Sequence, residues 1–390
     1  MYKKRGNSEG SITQRGKDAW QARYTVNGKR HSITGKTQAE AVRKMREALA
    51  SADQGQYVEP SKLTVGVWLT QWEETYGRPT WRDTTASTHH DSIKNHLIPA
   101  MGAIPLQRLG ADDIQRFIIS QQKAGAKPAS IVKQLSPLKS AMRQAVLLKK
   151  RADNPFDGVK QPKLTQDEIE HLTEDEQRAY ISALPDGTAA RLLRFILSTG
   201  LRIGEALALR WSDIEVDHFT VRQTIATAAN LEGTDDEPKT KQSIHAAKTS
   251  AGMRSIPLGT EMKTLLDRQR VAQAKERLKC GAAWGTGKQP EGISLEKGDG
   301  FVFASSIGTP LQARNVRRVH NQAIAKASVT PITLHGLRHS FATRWVAHDN
   351  DIKGLSEILG HADVATTLRK YVHSDPAHKA VMMQKMGTYD

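Results

Sequence analysis

The sequence predicts a multidomain α+β chain in three parts: a small three-stranded sheet with one helix in residues 1–56, an all-helical bundle in 63–160, and a larger, mainly helical region with a small antiparallel sheet in 168–390. Three observations lead there. At 390 residues the chain can hold two or three separate hydrophobic cores. Two polar segments, SADQGQYVEPSK at 51–62 and GVKQPKLTQDEIEHL at 158–172, interrupt the apolar pattern. Around them the pattern changes from short strand-like runs to helical faces and then to a mixture of both.

Residues 11–15 and 20–34 read as three short strands, the last two joined by Asn27-Gly28, a strong two-residue hairpin signal. Pairing across that turn puts Trp20, Ala22, Tyr24, Val26 and Ile33 on one face, and Arg23, Thr25, Arg30 and Ser32 on the other, with Arg15 on the first strand. Thr37-x-x-Glu40 is a capping box that opens a helix, whose Val42, Met45 and Leu49 can cover the apolar face. In the second part Val65, Trp68, Leu69 and Trp72 share a helical face, and a second helix runs over roughly 84–97, stopping ahead of Pro99. A third helix carries Ile114, Phe117, Ile118 and Gln121, and a fourth carries Ile131, Leu135, Leu138, Ala141, Ala145 and Leu148. Four such helices with short connections suit a compact bundle, ended by Asn154-Pro155. Lys94, Lys133, Lys139 and Arg143 are candidate phosphate contacts on it, although each taken alone reads more simply as a solvated helix residue.

Thr173-x-x-Glu176 starts the third part with another capping box. A helix through Leu192, Leu193, Ile196 and Leu197 ends at Gly200, and Arg202 opens the next, with Ile203, Ala206, Leu207 and Leu209. Glu205 reads as a structural partner of a buried Arg202 rather than a catalyst. Trp211 and 214–224 read as strands, 226–245 as a polar insertion, 261–279 as a helix, 280–300 as a glycine-rich loop and 301–304 as one more strand. A helix over 311–326 presents Arg314, Arg317 and Arg318 as candidate contacts to an anion rather than as catalysts.

Composition narrows the function. The chain carries 57 Lys and Arg against 41 Asp and Glu, a net charge of +16 that points to a polyanionic partner. The excess is graded: 12 basic against 4 acidic residues in 1–50, 15 against 10 in 51–160, and 30 against 27 in 161–390. Solubility alone would not predict that gradient, whereas phosphate attraction by the upstream modules would. No apolar run approaches the roughly 20 residues that span a bilayer, and MYKKRGNSEG has no apolar core of an export signal, so no membrane role is expected. Cys280, the only cysteine, rules out an intramolecular disulfide and a Cys-based zinc site and suits a reducing cytoplasm.

The densest chemistry lies in 333–373. His335, Arg338 and His339 fall at i, i+3 and i+4 on one helical face, a cluster that can bind an anion or can be a solvated basic face with His339 in the core. Leu355, Ile358 and Leu359 form an apolar face terminated by Gly360; His361 follows, and Asp363 can cap a short helix reaching Tyr371 about two turns on.

HGLRHSFAT followed by LGH and, ten residues later, a tyrosine resembles the second half of the signature of tyrosine recombinases, the phage integrase family. The first half is also present. STGLRIGEALALRW at 198–211 is similar to the arginine box, with Arg202, and AAKTSAGMRSIPL at 246–258 to the lysine hairpin, with Lys248. Gly252 stands where that hairpin commonly has serine.

The resemblance implies three domains: an arm-type DNA-binding domain in 1–56 whose sheet enters the major groove, a SAM-like core-binding domain in 63–160 and a catalytic domain in 168–390. It implies an integrase of a bacterial phage or conjugative element that joins DNA through a 3′-phosphotyrosine. Tyr371 would be the nucleophile, His335 its base, Arg202 and Arg338 the forks on the non-bridging oxygens, His361 a further phosphate hydrogen bond, and Lys248 the acid on the leaving 5′-oxygen. Lys239 and Lys241 compete with Lys248, although only Lys248 adjoins MRSIPL. Double-stranded DNA, a homotetramer on it, a directionality factor and a DNA-bending protein are the implied partners. No nucleotide-binding loop, paired-carboxylate site or His/Cys metal spacing is present, so neither cofactor nor metal is expected. A type IB topoisomerase, a chromosome-dimer resolvase and a catalytically silent DNA-binding regulator remain as alternatives. The tail AHKAVMMQKMG at 377–387 offers an apolar helix to fold back or to dock on a neighbouring protomer.

Overall fold

The computed structural model describes residues 10–26, 28–53, 57–164, 170–234, 236–246, 252–287, 289–291, 300–349, 351–361 and 363–371. Lys248, Asn27 and the 377–387 tail therefore lie outside the described residues. The chain divides into two compact units, Met1–Thr165 and Gln166–Asp390.

In the first unit, β1 (Ser11–Gly16), β2 (Ala19–Val26) and β3 (Lys29–Gly35) form an antiparallel sheet in the order β1-β2-β3. Ala22 pairs with Ile33 and Tyr24 with His31 on the covered face, while Arg23 pairs with Ser32 and Thr25 with Arg30 on the exposed one, as the alternation predicts. Gly28 takes φ +76°, the left-handed conformation a two-residue hairpin needs. Helix α1 (Gln38–Asp53) covers the sheet, but through Ala41, Met45, Ala48, Leu49 and Ala52; Val42, expected in that stripe, sits at its margin. Thr37 Oγ1 accepts from the Glu40 N–H at 3.2 Å, yet Glu40 reaches back to the N–H of Lys36, one residue short of a closed capping box. The expected linker is partly tied down: Tyr57 packs into this core with its hydroxyl 3.2 Å from that of Tyr24.

A second core follows in the same unit. Helix α2 (Val65–Trp72) buries Val65, Trp68, Leu69 and Trp72, and the Trp68 indole N–H donates to the Ala141 carbonyl at 3.0 Å. The second helix does not stop at Pro99: α3 (Asp83–Ser92) passes through a π turn at 93–97 into α4 (Ile98–Met101). In that turn Ile98 N–H bonds Ile93 O, and this change of register just ahead of Pro99 absorbs the missing donor. Helices α5 (Ala111–Lys123) and α6 (Pro128–Leu147) complete the bundle. Leu148, expected inside, is 39% exposed at the end of α6, and Met142 fills the core instead.

The second unit is built on α8 (Thr188–Thr199), whose Leu192, Leu193, Phe195, Ile196 and Leu197 are all fully buried. Ahead of it α7 (Glu174–Ala183) starts with the predicted capping box, both reciprocal bonds formed at Thr173 and Glu176. Gly200 ends α8 at φ +68°, and α9 (Ile203–Ala208) follows at once. Trp211 lies in a 3-10 turn, not a strand. The sheet is two separate antiparallel pairs, β4 (His218–Val221) with β7 (Arg254–Pro257), and β5 (Gln223–Ala229) with β6 (Thr240–Ala246). Half of the supposed polar insertion is therefore paired strand, Gln223 pairing with Ala246 through to Ala229 with Thr240. Alternation along QTIATAA and TKQSIHA was hidden by small and polar residues that give little hydrophobic contrast.

Helix α10 (Thr260–Cys280) matches expectation, whereas 301–304 is two isolated bridges, Arg210 to Phe301 and Ala304 to Pro310, around a buried turn. Helices α11 (Ala313–Ala327), α12 (Leu334–Asp349), α13 (Ile352–Leu359) and α14 (Val364–Tyr371) close the fold. No described helix is long and apolar enough to cross a membrane.

A Cβ at Gly200 would lie 2.5 Å from a Phe341 ring carbon and 2.9 Å from a Leu359 methyl, on a backbone already left-handed. Gly200→Ala should therefore destabilise the chain by about 2 kcal/mol or more, read as a lower urea midpoint. An unchanged midpoint would mean that the end of α8 does not require glycine.

Candidate active site

Two helix ends build the site. Gly200 turns the chain out of α8 so that Arg202 becomes the N-cap of α9, and Gly360, at φ +63°, closes α13 and delivers His361. His361 N–H bonds Ser356 O at 3.1 Å, which fixes the residue against the end it follows. The last carbonyls of α13 face inward and are met by guanidinium groups. Arg338, on α12 and only 1% exposed, donates from Nη2 to Leu359 O at 2.6 Å and from Nη1 to Gly200 O at 2.9 Å, so it ties the two helix ends together. Arg202 Nη1 also approaches Leu359 O, at 3.5 Å. Arg254, the first residue of β7, donates from Nε to Ile358 O.

Glu205 joins this set from the first turn of α9. Its carboxylate accepts from Arg202 N at 3.0 Å and Arg202 Nη1 at 2.8 Å, and from Arg254 Nη2 at 2.8 Å and Nη1 at 3.3 Å. The sequence reading paired Glu205 with a buried Arg202, and the burial is the part to correct. The Arg202 side chain is 41% exposed, while Arg254, at 6%, is the arginine sealed against Glu205. Burial by itself would raise the Glu205 carboxyl, but the hydrogen bonds and charge of Arg254, with the charge of Arg202 behind them, hold it at about 2.

Around Arg338 the imidazoles take distinct places. His361 Nε2 lies 3.1 Å from Arg338 Nη2 and Nδ1 lies 2.7 Å from Thr367 Oγ1. A guanidinium only donates, so Nε2 accepts here and Nδ1 carries the proton toward the buried Thr367. His335 is exposed one turn before Arg338, its ring edge-on to that of His339 at 4.6 Å, and His339 is buried. Tyr371 is the last residue of α14, which Asp363 caps through the Ala365 N–H at 2.9 Å. Tyr180, a conceivable alternative nucleophile, is fully buried, and its hydroxyl donates to His320 Nδ1 at 2.8 Å while His320 Nε2 donates to Ile332 O. Burial pushes that phenol well above its usual range.

The structure thus brings together Arg202, Arg338 and His361, with Tyr371 ending the next helix. Of the competing lysines, Lys239 is exposed beside the β5–β6 tip and Lys241 is paired with Glu291 at 3.1 Å. The segment of Lys248 joins β6 to β7, immediately ahead of Gly252, whose carbonyl accepts from Arg254 Nη1 at 3.3 Å. Sequence reasoning missed Arg254 and Thr367. The signal for Arg254 was available: it alternates with buried Ile256 along β7, so an arginine occupies an inward strand position. The candidate DNA contacts Arg15, Arg23, Thr25, Arg30, Lys94, Lys133, Lys139, Arg143, Arg314, Arg317 and Arg318 are all exposed. Arg314 and Arg317 line a groove with the β5–β6 hairpin rather than with the arginine cluster.

Comparison with known proteins finds matches along most of the chain. The model of the phage integrase family matches residues 162–378, and that of the phage integrase N-terminal SAM-like domain matches 64–120. Among relatives, a XerC-like tyrosine recombinase of Caldanaerobacter subterraneus is 25% identical over 97% of this chain and 98% of its own, and an integrase of Saccharopolyspora erythraea is 23% identical over 95% and 94%. Among solved structures, the Tn1549 transposon integrase bound to a circular-intermediate DNA has a TM-score of 0.65 at 19% identity, over 83% of this chain and all of that one. The lambda integrase tetramer on a Holliday junction has 0.60 at 18%, over 96% and 99%. The family match and the relatives define a DNA strand-transfer enzyme of the tyrosine type. The chain belongs to the phage integrase family and is a site-specific recombinase that cleaves and religates DNA by transesterification.

Because the Glu205 pKa is depressed in the folded state, its contribution to stability is complete above about 4.5 and is lost as pH falls toward about 2. Glu205→Gln should destabilise by about 3–5 kcal/mol at neutral pH, since Arg254 then lacks its counter-charge. Urea titrations from pH 6 to 2 should show the acid slope reduced by about one bound proton in the variant. Equal slopes would assign the acid sensitivity to Glu176, held at about 2 by Thr330 and Thr173.

Proposed function

We propose that this recombinase integrates and excises a bacterial mobile element, cleaving each strand through a 3′-phosphotyrosine at Tyr371. The observation that carries the reading is the convergence of Arg202, Arg338 and His361 on the end of α13, directly before the short helix that ends at Tyr371. The Tyr371 oxygen attacks the scissile phosphorus, its proton passing to His335, and the bond to the 5′-oxygen breaks as Lys248 protonates that oxygen. Attack by another 5′-hydroxyl reverses the step, so the bond energy stays in the protein–DNA linkage and no external energy source is needed. Arg202, half open to solvent, meets the non-bridging oxygens from outside, and Arg338 meets them from the protein side. His361 can join them without losing its anchor. The Thr367 hydroxyl can donate as well as accept, so the ring can switch tautomer and present an Nε2 proton to the phosphate.

The substrate is double-stranded DNA bound by a homotetramer, with a directionality factor and a DNA-bending protein setting the outcome, in the bacterial cytoplasm. Residues 1–56 act as the arm-binding domain through the exposed face that carries Arg23, Thr25 and Arg30, with Arg15 beside them; 63–160 bind the core site through Lys94, Lys133, Lys139 and Arg143; 168–390 catalyse, with Arg314, Arg317 and Arg318 as further phosphate contacts.

Tyr371→Phe should abolish covalent adducts on a nicked core-site substrate while leaving the Kd for that DNA within about threefold of the parent, since only the nucleophilic oxygen is lost. Adducts persisting in the variant would move the nucleophile to another residue, Tyr389 first.

Lys248→Ala should slow cleavage of ordinary DNA by about 10²–10⁴-fold and recover most of that loss on a substrate with sulfur in place of the bridging 5′-oxygen, because a thiolate leaves without a proton. Arg202→Ala should show no such rescue. Rescue in Lys239→Ala or Lys241→Ala would transfer the acid to that lysine.

A further inference from the structure

A second basic cavity lies away from the arginine cluster at α13, between α7, α8, α10 and α12. It encloses about 740 Å³, within the range of small-molecule sites. Arg191 and Arg194 of α8, Arg268 of α10 and Arg344 of α12 line it, with Glu261 as the acidic residue on its wall. Three of the four arginines are half-buried, and Arg268 is exposed. Charges so recessed are usually matched by carboxylates, and among the described residues these form no ion pair. Arg191 donates to Gln269 Oε1 and Thr188 Oγ1, Arg194 Nη2 to Ile181 O at 3.2 Å, and Arg344 to Gln177 Oε1 and to Leu197 O at 3.1 Å. Every one of these acceptors is neutral.

Two further observations point to an anion. The Arg194 Nε is buried with no acceptor among the described residues, an orphaned charged donor in the cavity wall. The N-terminus of α10 also opens here, and its N-cap, Gly259, supplies no side-chain acceptor for the first-turn N–H groups. Burial and the charge of Arg194 both act against the charge on Arg191, though Asp186 offsets part of this. Ile181, Met262 and Leu265 provide an apolar wall beside the charges.

We propose that this cavity binds a small polyphosphate anion, of the nucleoside triphosphate class, on Arg191, Arg194, Arg268 and Arg344. Guanidinium forks and a helix N-terminus are the two groups that best match phosphoryl oxygens, and the apolar wall leaves room for a base. A duplex backbone is a poorer match, because it is met by exposed side chains and three of these four are recessed. The ligand would bridge α8 and α12, the helices that Arg338 and Gly200 already join at the active site.

The test is calorimetric titration of full-length, DNA-free protein with ATP and, separately, sodium tripolyphosphate. Saturable binding of both is expected, tighter for ATP if the base meets the apolar wall and equal if the phosphates alone are recognised. Arg268→Gln, at an exposed position, and Arg194→Gln should each weaken it about tenfold. Lys279→Gln, exposed near the far end of α10, should leave it unchanged. Circular dichroism melts identify any variant that fails to fold, and Arg268→Gln then decides alone. Absence of saturable binding, or equal weakening by Lys279→Gln, overturns the proposal. So does a loss confined to duplex binding, with a shallower salt dependence in Arg268→Gln and no response to ATP, which would make the cavity a DNA phosphate contact.

Discussion

The carbonyl groups that end α13 receive guanidinium donors from three elements far apart in sequence: Arg202 before α9, Arg254 on β7 and Arg338 on α12. A helix C-terminus leaves its last carbonyls without partners and carries the negative end of the macrodipole, so it can hold cations that would otherwise repel one another. Gly360 makes this possible by turning the chain away in a left-handed conformation, leaving the carbonyls open to side chains. Glu205 supplies the remaining counter-charge and, through Arg254, fastens β7 to the same point. Loss of Glu205 or Arg254 leaves the other as a buried charge without its main partner, and loss of Arg338 frees the Gly200 carbonyl, which makes the cluster cooperative rather than a sum of pairs.

That arrangement fixes charge before any substrate arrives. Arg338 is held by Gly200 O and Leu359 O with almost no exposure, so little rotamer freedom remains to be lost on meeting a phosphate. Arg202 has its inner edge on Glu205 and its side chain 41% open, suited to close over an anion from the solvent side. Electrostatic stabilisation is most effective when its dipoles and charges need no reorganisation at the moment of reaction. In the proposed mechanism the architecture of α8, α12 and α13 would therefore be as much a part of the chemistry as the side chains that would touch DNA.

Much of this was legible in the sequence because it depends on local rules. Gly200 and Gly360 announce helix ends, Thr173 and Glu176 announce a start, and the spacing from His335 to Arg338 survives in a continuous helix. Failures came where tertiary context overrode those rules. A π turn let a helix run through Pro99, and weak alternation disguised the β5–β6 hairpin as an insertion. Arg202 was read as buried, and Arg254 was missed, because sequence gives the partner of a carboxylate more easily than its depth: one Glu205 carboxylate serves both arginines, and only packing decides which is sealed.

Charge within the cluster carries the argument one step further. Arg202, Arg254 and Arg338 against Glu205 leave two positive charges among these four residues, and Arg254 is spent on Glu205 and Ile358 O. The surplus therefore resides on Arg202 and Arg338, both of which reach the Leu359 carbonyl. A phosphodiester carries one negative charge, and attack by a deprotonated phenol adds a second as the five-coordinate state forms. In the proposed mechanism a surplus of two charges would be closer to that state than to the substrate, which is the condition under which binding accelerates a reaction instead of merely holding its reactant. In the proposed mechanism Glu205 would thus do more than secure a buried arginine: by cancelling one charge of three, it leaves these four residues with the two positive charges that match the proposed five-coordinate state.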